Sequence, residues 1–397
     1  MTEQPPVFLN NLGIVCSLGT SLSTVNEHLF TEHSDFLVPS DTYTPGRRLP
    51  LGQVKGNLPD LHNQPLKWQS RNNQLLLAAY QQIESEANPL IAKFGALRVG
   101  VVIGTSTSGI AEGERGVQTF LKTGTPPADY DYQQQEMASP AEFLAHYTGA
   151  RGPVFSISTA CSSGAKALAS AQRLINSGLC DVVLAGGSDA LCGLTVSGFN
   201  ALELVSDETC NPFGESRKGI NIGEGAGLFL VSRTPGPVAL LSAGETSDAY
   251  HFSSPDPEGR GAKAAMLDAL NRAEVLPEQV TYINLHGTGT SLNDKMEAAV
   301  VKQIFGEHTL CSSTKTLTGH TLGAAGAIEA GFCWLILKQA RNHQLPLQHL
   351  KGPVDPHIDA INLVSKASSP PHTINYVMSN SFAFGGNNIA LLFGRAS

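Results

Sequence analysis

The strongest constraint on the fold is the alternation of short apolar runs with longer segments of helical periodicity. Strand-like runs lie at 7–9, 98–103, 154–157, 181–185, 238–241, 282–285, 374–378 and 389–393. Helical periodicity is found at 72–86, 163–176, 260–273, 294–305 and 324–340. Strands that alternate with helices in this way predict an α/β fold.

A length of 397 residues is too great for one simple core, so the chain should hold two domains or a duplicated unit. A coarse similarity between two parts of the sequence favours duplication. Cys161 precedes a helix rich in glycine and alanine, and His320 precedes a second small-residue helix. We predict two similar halves, 1–237 and 238–397, that join at the Pro/Gly-containing stretch 233–237. The first half then carries the cysteine, and the second carries both candidate histidines, His286 and His320.

Charge and cysteine usage exclude several classes of protein. A net charge of −8 argues against general nucleic-acid binding but leaves room for a local basic patch. The seven cysteines are scattered without a CxxC pair, which is not the pattern of a disulfide framework or a zinc site. No basic residue occurs before Arg47, so the N-terminus lacks the charged start of a signal peptide. No apolar run reaches the length of a membrane span. The sequence therefore predicts a cytoplasmic protein without a membrane span or a metal.

The stretch STACSSGAKALAS at 158–170 places one cysteine, Cys161, among small residues between a predicted strand and a predicted helix. A thiol at a helix N-terminus faces unpaired N–H groups, which favour the thiolate. A buried structural cysteine is the ordinary alternative, and we assign the other six cysteines to it. Cys161 differs because a strand–turn–helix can expose its sulfur. The small neighbours indicate either tight packing or a narrow channel to that sulfur.

Two histidines lie in comparable settings. His286 follows a predicted strand and begins the Gly/Thr loop HGTGT, whose Thr288 and Thr290 can donate and accept hydrogen bonds. A lone histidine is usually only a satisfied polar residue, but a position directly after a strand favours function. His320 opens a helix, whose N-terminus should lower the imidazole pKa and keep the ring neutral.

Two further features accompany the histidines. Lys315, five residues before His320, could pair with Glu297 in a buried polar network, although a surface lysine is the simpler alternative. The stretch SNSFAFGGNN at 379–388 separates two terminal strands and could be a plain hairpin turn. Its two phenylalanines, Phe382 and Phe384, instead suggest a hydrophobic lid beside a site.

Taken together and in this order, the motifs resemble those of β-ketoacyl-ACP synthases, the condensing enzymes of the thiolase-like superfamily. The motifs are STACSSG around Cys161, PFGESRKGINIGEGAG at 212–227, HGTGT from His286, KTLTGH ending at His320 and NSFAFGGNN from Asn380. Two histidine partners resemble the elongating, decarboxylative branch. A thiolase would need a second cysteine near the C-terminus, and none follows Cys333. The resemblance implies a five-layer αβαβα fold made of two thiolase-like halves, and a dimer.

The resemblance also implies the chemistry of an acyltransferase. Cys161 would accept an acyl chain from a carrier thioester and form an acyl-enzyme. Decarboxylation of a malonyl thioester would then produce an enolate that His286 and His320 stabilise. The backbone N–H groups of Cys161 and Phe384 would form the oxyanion hole, and the Phe384 side chain would gate the site with Phe382.

Supporting roles are implied in the same way. Lys315 and Glu297 would organise His320, while Thr288 and Thr290 would hold the phosphopantetheine arm of an acyl carrier protein. No cofactor would be tightly bound, since the substrates arrive on that carrier.

The substrate is less closely defined by the resemblance. Thr107 aligns with a bulky acyl-pocket residue of fatty-acid elongating synthases, and a smaller polar residue there argues against an ordinary saturated chain. The stretches 196–203 and 219–223 resemble synthases of bacterial aryl-polyene clusters, whose growing chain is flat and conjugated. Primary fatty-acid elongation is the alternative within the same reaction class.

Partners follow from the family as well. Lys67 and Arg71 lie in a region that resembles the carrier-docking helix, although a solvated helix face is the simpler interpretation of either residue alone. The dimer could be a homodimer or a heterodimer with a chain-length-factor-like subunit. Two other functions stay open: a non-catalytic partner subunit, which the intact Cys161 disfavours, and thiolase-like chemistry on coenzyme A thioesters.

Overall fold

The structure, a computed structural model, describes residues 6–339, 344–371 and 373–396. The strands are β1 Val7–Val15, β2 Val38–Ser40, β3 Leu49–Leu51, β4 Val99–Gly104, β5 Val154–Ile157, β6 Val182–Asp189, β7 Gly225–Ser232, β8 Val238–Ser247, β9 Val280–Asn284, β10 Leu310–Ser312, β11 Asn362–Leu363, β12 Tyr376–Ala383 and β13 Asn387–Arg395. The α-helices are α1 Leu22–Leu29, α2 Arg71–Gln81, α3 Glu84–Phe94, α4 Ile110–Thr123, α5 Ser139–Thr148, α6 Ser163–Asn176, α7 Gly193–Ala201, α8 Arg260–Ala273, α9 Ser291–Phe305, α10 Lys315–Thr318 and α11 Ala325–Lys338.

The same strand order occurs twice in the main sheet. Within the described ranges it has eleven strands in the order β11-β10-β9-β12-β13-β8-β1-β7-β6-β4-β5. The strands that the first half contributes to this sheet are, in chain order, β1, β4, β5, β6 and β7. Their spatial order β5-β4-β6-β7-β1 is therefore third, second, fourth, fifth and first. The order β10-β9-β12-β13-β8 repeats this arrangement, and antiparallel pairing of β1 with β8 joins the halves. The predicted α/β fold of two duplicated halves is confirmed.

Helices cover the sheet in layers. Buried residues of α6 and α11 share one core with β1 and β7 on one side and with β8, β12 and β13 on the other. A second core packs α2, α3 and α5 against the outer face of the first half, and a third packs α8 and α9 against the second half. The resulting sequence of layers is αβαβα, as the family resemblance implied, with α6 and α11 in the middle.

The two central helices approach each other closely because small residues line their contact. A Cβ atom added at Gly164 would lie 2.9 Å from the Ala327 Cβ atom, and one added at Gly326 would lie 2.8 Å from the Ala165 Cβ atom. Both distances are shorter than side chains tolerate, so the two backbones are nearly in contact. Cys161 precedes α6 and therefore lies beside the turn that leads into α11.

Several predicted elements match the structure and others do not. The helices at 163–176 and 260–273 and the strand at 154–157 have the predicted bounds. The single helix predicted at 72–86 is instead two helices, α2 and α3. The chain turns at Gln82, whose side chain accepts a hydrogen bond from the Leu22 backbone and donates one to the Ile14 carbonyl. The predicted helix at 324–340 ends at Lys338, and residue 340 lies outside the described residues.

No helix within the described ranges is both long enough and apolar enough to cross a membrane.

Candidate active site

A cavity of about 320 Å³ leads from the surface to the junction of the two halves. At its outer end lie Leu202 and Leu292, which are 47% and 57% exposed. At its inner end lie Cys161, His286 and His320, all of which are at most 5% exposed. The cavity therefore gives a narrow route from solvent to a buried sulfur.

Cys161 lies in the turn between β5 and α6, directly after Ala160, whose φ of +52° is uncommon for a residue with a side chain. Burial raises the pKa of the Cys161 thiol to about 11, although the Lys315 charge and the backbone N–H groups of Phe384 and Cys161 lower it. The thiol is therefore protonated at rest. The thiolate expected from the helix N-terminus is not the resting form, because burial outweighs the favourable groups around the sulfur.

His320 is in direct contact with the cysteine, since its Nε2 atom lies 3.0 Å from the Cys161 Sγ atom. The Leu322 backbone N–H donates to Nδ1 at 3.2 Å, so a neutral ring carries its proton on Nε2. Burial and the nearby Lys315 charge hold the pKa of His320 well below its usual value. The ring is neutral as predicted, but the cause is burial and Lys315 rather than a helix N-terminus.

His286 follows β9 and packs edge-on against His320, with ring centroids 5.4 Å apart. Burial holds its pKa well below the usual value, and the charge of Lys315 and the neighbouring imidazole add to this effect. Its buried Nδ1 atom finds no hydrogen-bond partner among the described residues. The backbone on either side is fixed by Glu297 on α9, whose carboxylate accepts the N–H groups of His286 and Gly287 at 2.8 and 2.7 Å.

The predicted pairing of Lys315 with Glu297 is wrong. The Lys315 Nζ atom donates to Glu329 Oε1 at 2.5 Å and to the His286 carbonyl at 2.6 Å. The Glu297 oxygens instead accept the backbone N–H groups of His286 and Gly287. Neither Lys315 nor Glu297 hydrogen bonds to His320 within the described residues. Glu297 fixes the His286 loop, whereas Lys315 bonds the His286 carbonyl and acts on Cys161 and His320 through its charge.

Glu329 was missed by the sequence analysis, although a signal was present. It is the one acidic residue in the run AGAIEAGFCWLIL of α11, and it is fully surrounded by the core. A carboxylate in an otherwise apolar helix requires a buried partner. The partner, Lys315, lies on a different element, and sequence spacing does not reveal it.

The remaining cavity residues are mostly where the sequence placed them. Thr288 and Thr290 line the cavity, and their hydroxyl oxygens lie 2.8 Å apart in a hydrogen bond. Phe382 and Phe384 also line it, and the Phe384 ring packs against Phe199 with centroids 5.4 Å apart.

Thr107 does not line this cavity, contrary to the acyl-pocket prediction. It is fully buried, and its hydroxyl donates to Asp189 Oδ1 at 2.8 Å and accepts the Ala190 N–H at 3.1 Å. Asp189, which the sequence analysis did not identify, also accepts the N–H groups of Ser106 and Gly323. The Thr107 hydroxyl therefore belongs to a network that joins the two halves close to His320.

The two predicted docking residues differ in their surroundings. The Arg71 guanidinium binds both carboxylate oxygens of the buried Glu224, at 2.8 and 2.5 Å. Its charge is therefore balanced within the chain. Lys67 lies over the Trp68 ring, 4.6 Å from the centroid, and has no ion-pair partner in the described part of the chain.

Comparison with known proteins shows the family to which this chain belongs. Residues 67–235 match the sequence profile "Beta-ketoacyl synthase, N-terminal domain", and residues 238–346 match "Beta-ketoacyl synthase, C-terminal domain". A 3-oxoacyl-[acyl-carrier-protein] synthase 2 of Staphylococcus aureus (strain COL) is 30% identical, and the alignment covers 99% of each chain. Nodulation protein E of Rhizobium leguminosarum bv. trifolii is 32% identical, with 98% of each chain covered.

A solved structure is similar over its whole length. The ketosynthase ApeO from Xenorhabdus doucetiae, determined in complex with its chain length factor ApeC, is 45% identical. It superposes with a TM-score of 0.94 over 100% of this chain and 99% of that chain. With both halves matched, the chain belongs to the β-ketoacyl synthase family of condensing acyltransferases.

Proposed function

We propose that this β-ketoacyl synthase condenses an acyl group held on Cys161 with a malonyl group held on an acyl carrier protein, with loss of carbon dioxide. The observation that carries the proposal is the convergence of one thiol and two neutral imidazoles at the inner end of one cavity. One donor atom from each of Cys161, His286 and His320 lies within 4.8 Å of the others. No observation on the described residues favours the alternative function, that of a non-catalytic partner subunit.

Acyl transfer comes first. The Cys161 sulfur attacks the carrier thioester, the carrier sulfur leaves, and the thiol proton ends on the departing carrier thiol. The Lys315 charge and the N–H groups of Cys161 and Phe384 favour the anionic sulfur that this step requires. The same two N–H groups then serve as the oxyanion hole for the acyl carbonyl.

Decarboxylation and condensation follow. Loss of carbon dioxide from the malonyl thioester puts negative charge on the thioester oxygen, and hydrogen-bond donors lower the energy of this enolate. His320 presents the proton on Nε2 because Nδ1 is occupied by the Leu322 N–H. His286 supplies the second donor, and the enolate carbon attacks the acyl carbonyl on Cys161.

The rest of the cavity suits a carrier-borne substrate. Thr288 and Thr290 line the same cavity as the imidazoles, where they can hold a phosphopantetheine arm, and no tightly bound cofactor is required. Phe199, Phe382 and Phe384 form an aromatic wall, which fits a flat conjugated chain of the aryl-polyene type better than a flexible saturated one. The resemblance at 196–203 supports the same substrate class.

A dimer is supported by the sheet. β5 is the last strand of the sheet order, no further described strand pairs with it, and its Phe155 is 38% exposed. Unpaired edge strands are places where another chain can add. The likeness to ApeO, solved with a chain length factor, favours a heterodimer with such a subunit over a homodimer.

We also propose residue 237 as the boundary between the repeats, since β8 begins at Val238.

Intact-mass analysis tests the proposal. The purified chain, alone and with its partner subunit, is incubated with a panel of carrier-bound acyl groups. We expect a mass increase equal to one acyl group. The acylated fraction should be largest with conjugated aromatic chains, and no acylation should occur in Cys161→Ala. An unmodified mass with every substrate, from folded protein, would overturn the enzymatic assignment.

A further inference from the structure

Asp189 is a fully buried carboxylate at the end of β6 that contacts both halves of the chain. Its Oδ1 atom accepts hydrogen bonds from the backbone N–H groups of Ser106 and Thr107, each at 2.8 Å. Its Oδ2 atom accepts the N–H group of Gly323, in the second half, at 2.5 Å. One side chain therefore joins the loop after β4 to the turn that follows His320.

Two threonine hydroxyls also donate to this carboxylate. Thr105 and Thr107 contribute hydrogen bonds of 2.7 and 2.8 Å to Oδ1. Each hydroxyl oxygen in turn accepts a backbone N–H group, that of Ser108 at 3.0 Å or that of Ala190 at 3.1 Å. Burial raises the pKa of Asp189, and the donors to Oδ1 lower it. Five donors thus hold the carboxylate in one orientation.

In the second half, the turn that Asp189 holds determines the tautomer of His320. Gly323 follows Leu322, whose N–H group donates to His320 Nδ1 at 3.2 Å. Leu322 has a φ of +50°, which is uncommon for a bulky residue and persists only where neighbouring contacts hold it. The hydrogen bond from Gly323 to Asp189, on the next residue, is such a contact.

In the first half, the loop that the carboxylate holds contacts the turn that carries Cys161. The Ser106 hydroxyl donates to the Ala160 carbonyl at 3.4 Å, and Ala160 directly precedes Cys161. A Cβ atom added at Gly104 would lie 2.3 Å from the carbonyl carbon of Ser163, so the end of β4 and the start of α6 are in backbone contact. The carboxylate is therefore connected to the sulfur on one side and to the imidazole on the other.

We propose that Asp189 is a positioning residue of the active site, which keeps the His320 proton on Nε2 by fixing the turn at Leu322. The inference rests on the proposed function, in which Nε2 donates to the enolate oxygen. Within the described residues the carboxylate makes no hydrogen bond to a reacting side chain, so it acts through the Gly323 N–H group. A donor in place of this acceptor would release the turn, and the proton could then occupy either ring nitrogen.

Asp189→Asn is the main test because it preserves the volume of the side chain. Four donors hold the oxygen at the Oδ1 position, so the NH₂ group of the variant faces the Gly323 N–H group. ¹⁵N NMR of the full-length chain labelled at histidine reports the tautomer, and loss of signals in His320→Gln assigns them. We expect the Nε2–H form in the wild-type protein and a mixture with the Nδ1–H form in Asp189→Asn.

Kinetics give a second readout of the same variant. Turnover in malonyl decarboxylation should fall by about tenfold or more, with KM for the malonyl-carrier changed by less than about twofold, because the affected donor acts in the transition state.

Ser188→Ala is the matched control. Ser188 is also fully buried and precedes Asp189 in β6, but its hydroxyl donates to Asn72. The change should lower the temperature of thermal unfolding without altering the tautomer of His320 or the turnover.

Gly323→Ala tests the same contact if Asp189→Asn does not fold. Its Cβ atom would lie 2.8 Å from the Asp189 Oδ2 atom and displace the turn, so the Nδ1–H form should again be populated.

Two results would contradict the proposal. One is a His320 proton on Nδ1 in the wild-type protein. The other is an unchanged tautomer in folded Asp189→Asn or Gly323→Ala, which would give Asp189 a structural role alone even if turnover fell. Neither result concerns acylation of Cys161 in the wild-type protein, so failure here is distinguishable from failure of the proposed function.

Discussion

Lys315 is 1% exposed, yet its charge acts on three groups of the proposed active site. It lowers the pKa of the Cys161 thiol and lowers the pKa of both imidazoles. The same side chain also bonds the His286 carbonyl and the Glu329 carboxylate. One residue therefore has a structural and an electrostatic role, and substitutions can separate the two.

Lys315→Met should leave Glu329 buried without a partner and reduce the free energy of unfolding by about 3–5 kcal/mol. The double variant Lys315→Met/Glu329→Leu should recover most of this loss, since it removes both charges. Acylation of Cys161 should stay slow in both variants, because neither has the charge that favours the anionic sulfur. Denaturant unfolding and single-turnover acylation measure the two effects. Full acylation in the double variant would show that the charge has no chemical role.

The histidines are tested by malonyl decarboxylation. His286→Ala and His320→Ala should each slow it by about 10²–10³-fold, because each removes a donor to the enolate oxygen. His320→Gln should retain part of the rate, since its amide can still donate. Carbon dioxide release from malonyl-carrier, with circular dichroism as a check on folding, gives the measurement. A normal rate in either alanine variant contradicts the assigned role.

The contact between α6 and α11 sets the geometry of the site at the scale of elements. Cys161 and His320 each precede one of these helices, so the separation of the helices determines the distance between sulfur and imidazole. Gly164 and Gly326 permit the close approach, since a methyl group on either would overlap alanine atoms of the other helix.

Gly164→Ala should separate the two helices by a few tenths of an ångström and lower acylation more than tenfold. We expect a stability loss of about 1–3 kcal/mol from overpacking. Gly198→Ala is the control, because a Cβ atom there meets nothing within 4 Å and the helical position favours alanine. Both are compared by acylation rate and thermal unfolding. Equal activity of the two variants would argue against tight coupling of helix spacing to chemistry.

Elements and motif positions were predictable where local sequence determines them. The periodicity of 163–176 and 260–273 gave correct helices. His286 was identified because it follows a predicted strand, and His320 because it precedes a predicted helix. β7 was missed because its sequence GAGLFLVS has two glycines in its first three residues, and glycine is uncommon in strands. The partner of Lys315 and the network of Asp189 were not predictable, since both depend on contacts between the halves.

At the scale of the whole molecule, the cavity and the sheet edge point to two kinds of partner. In the proposed function, a carrier protein delivers its arm to the mouth of the cavity and a second subunit pairs with β5. The net charge of −8 means that an acidic carrier needs a local basic surface.

Lys67→Glu tests one part of that surface. It should raise KM for carrier-bound substrate by about five- to tenfold and leave turnover of a carrier-free pantetheine thioester unchanged. Lys338→Glu is matched, since Lys338 also lies over a tryptophan, 4.5 Å from the Trp334 ring, but at the end of α11 remote from His320. Equal effects of both changes, or no effect of either, would remove Lys67 from the docking surface.

The repeated strand order has a consequence for how the chemistry is divided. Cys161 follows the third strand of the first repeat, and His320 follows the third strand of the second, so the proposed nucleophile and the proposed proton donor occupy equivalent places in the two repeats. The proposed site therefore lies where the two repeats meet, and each repeat supplies a different chemical group. Neither repeat holds the complete site, so a change that shifts one repeat against the other would separate the Cys161 sulfur from the His320 imidazole and lower the activity.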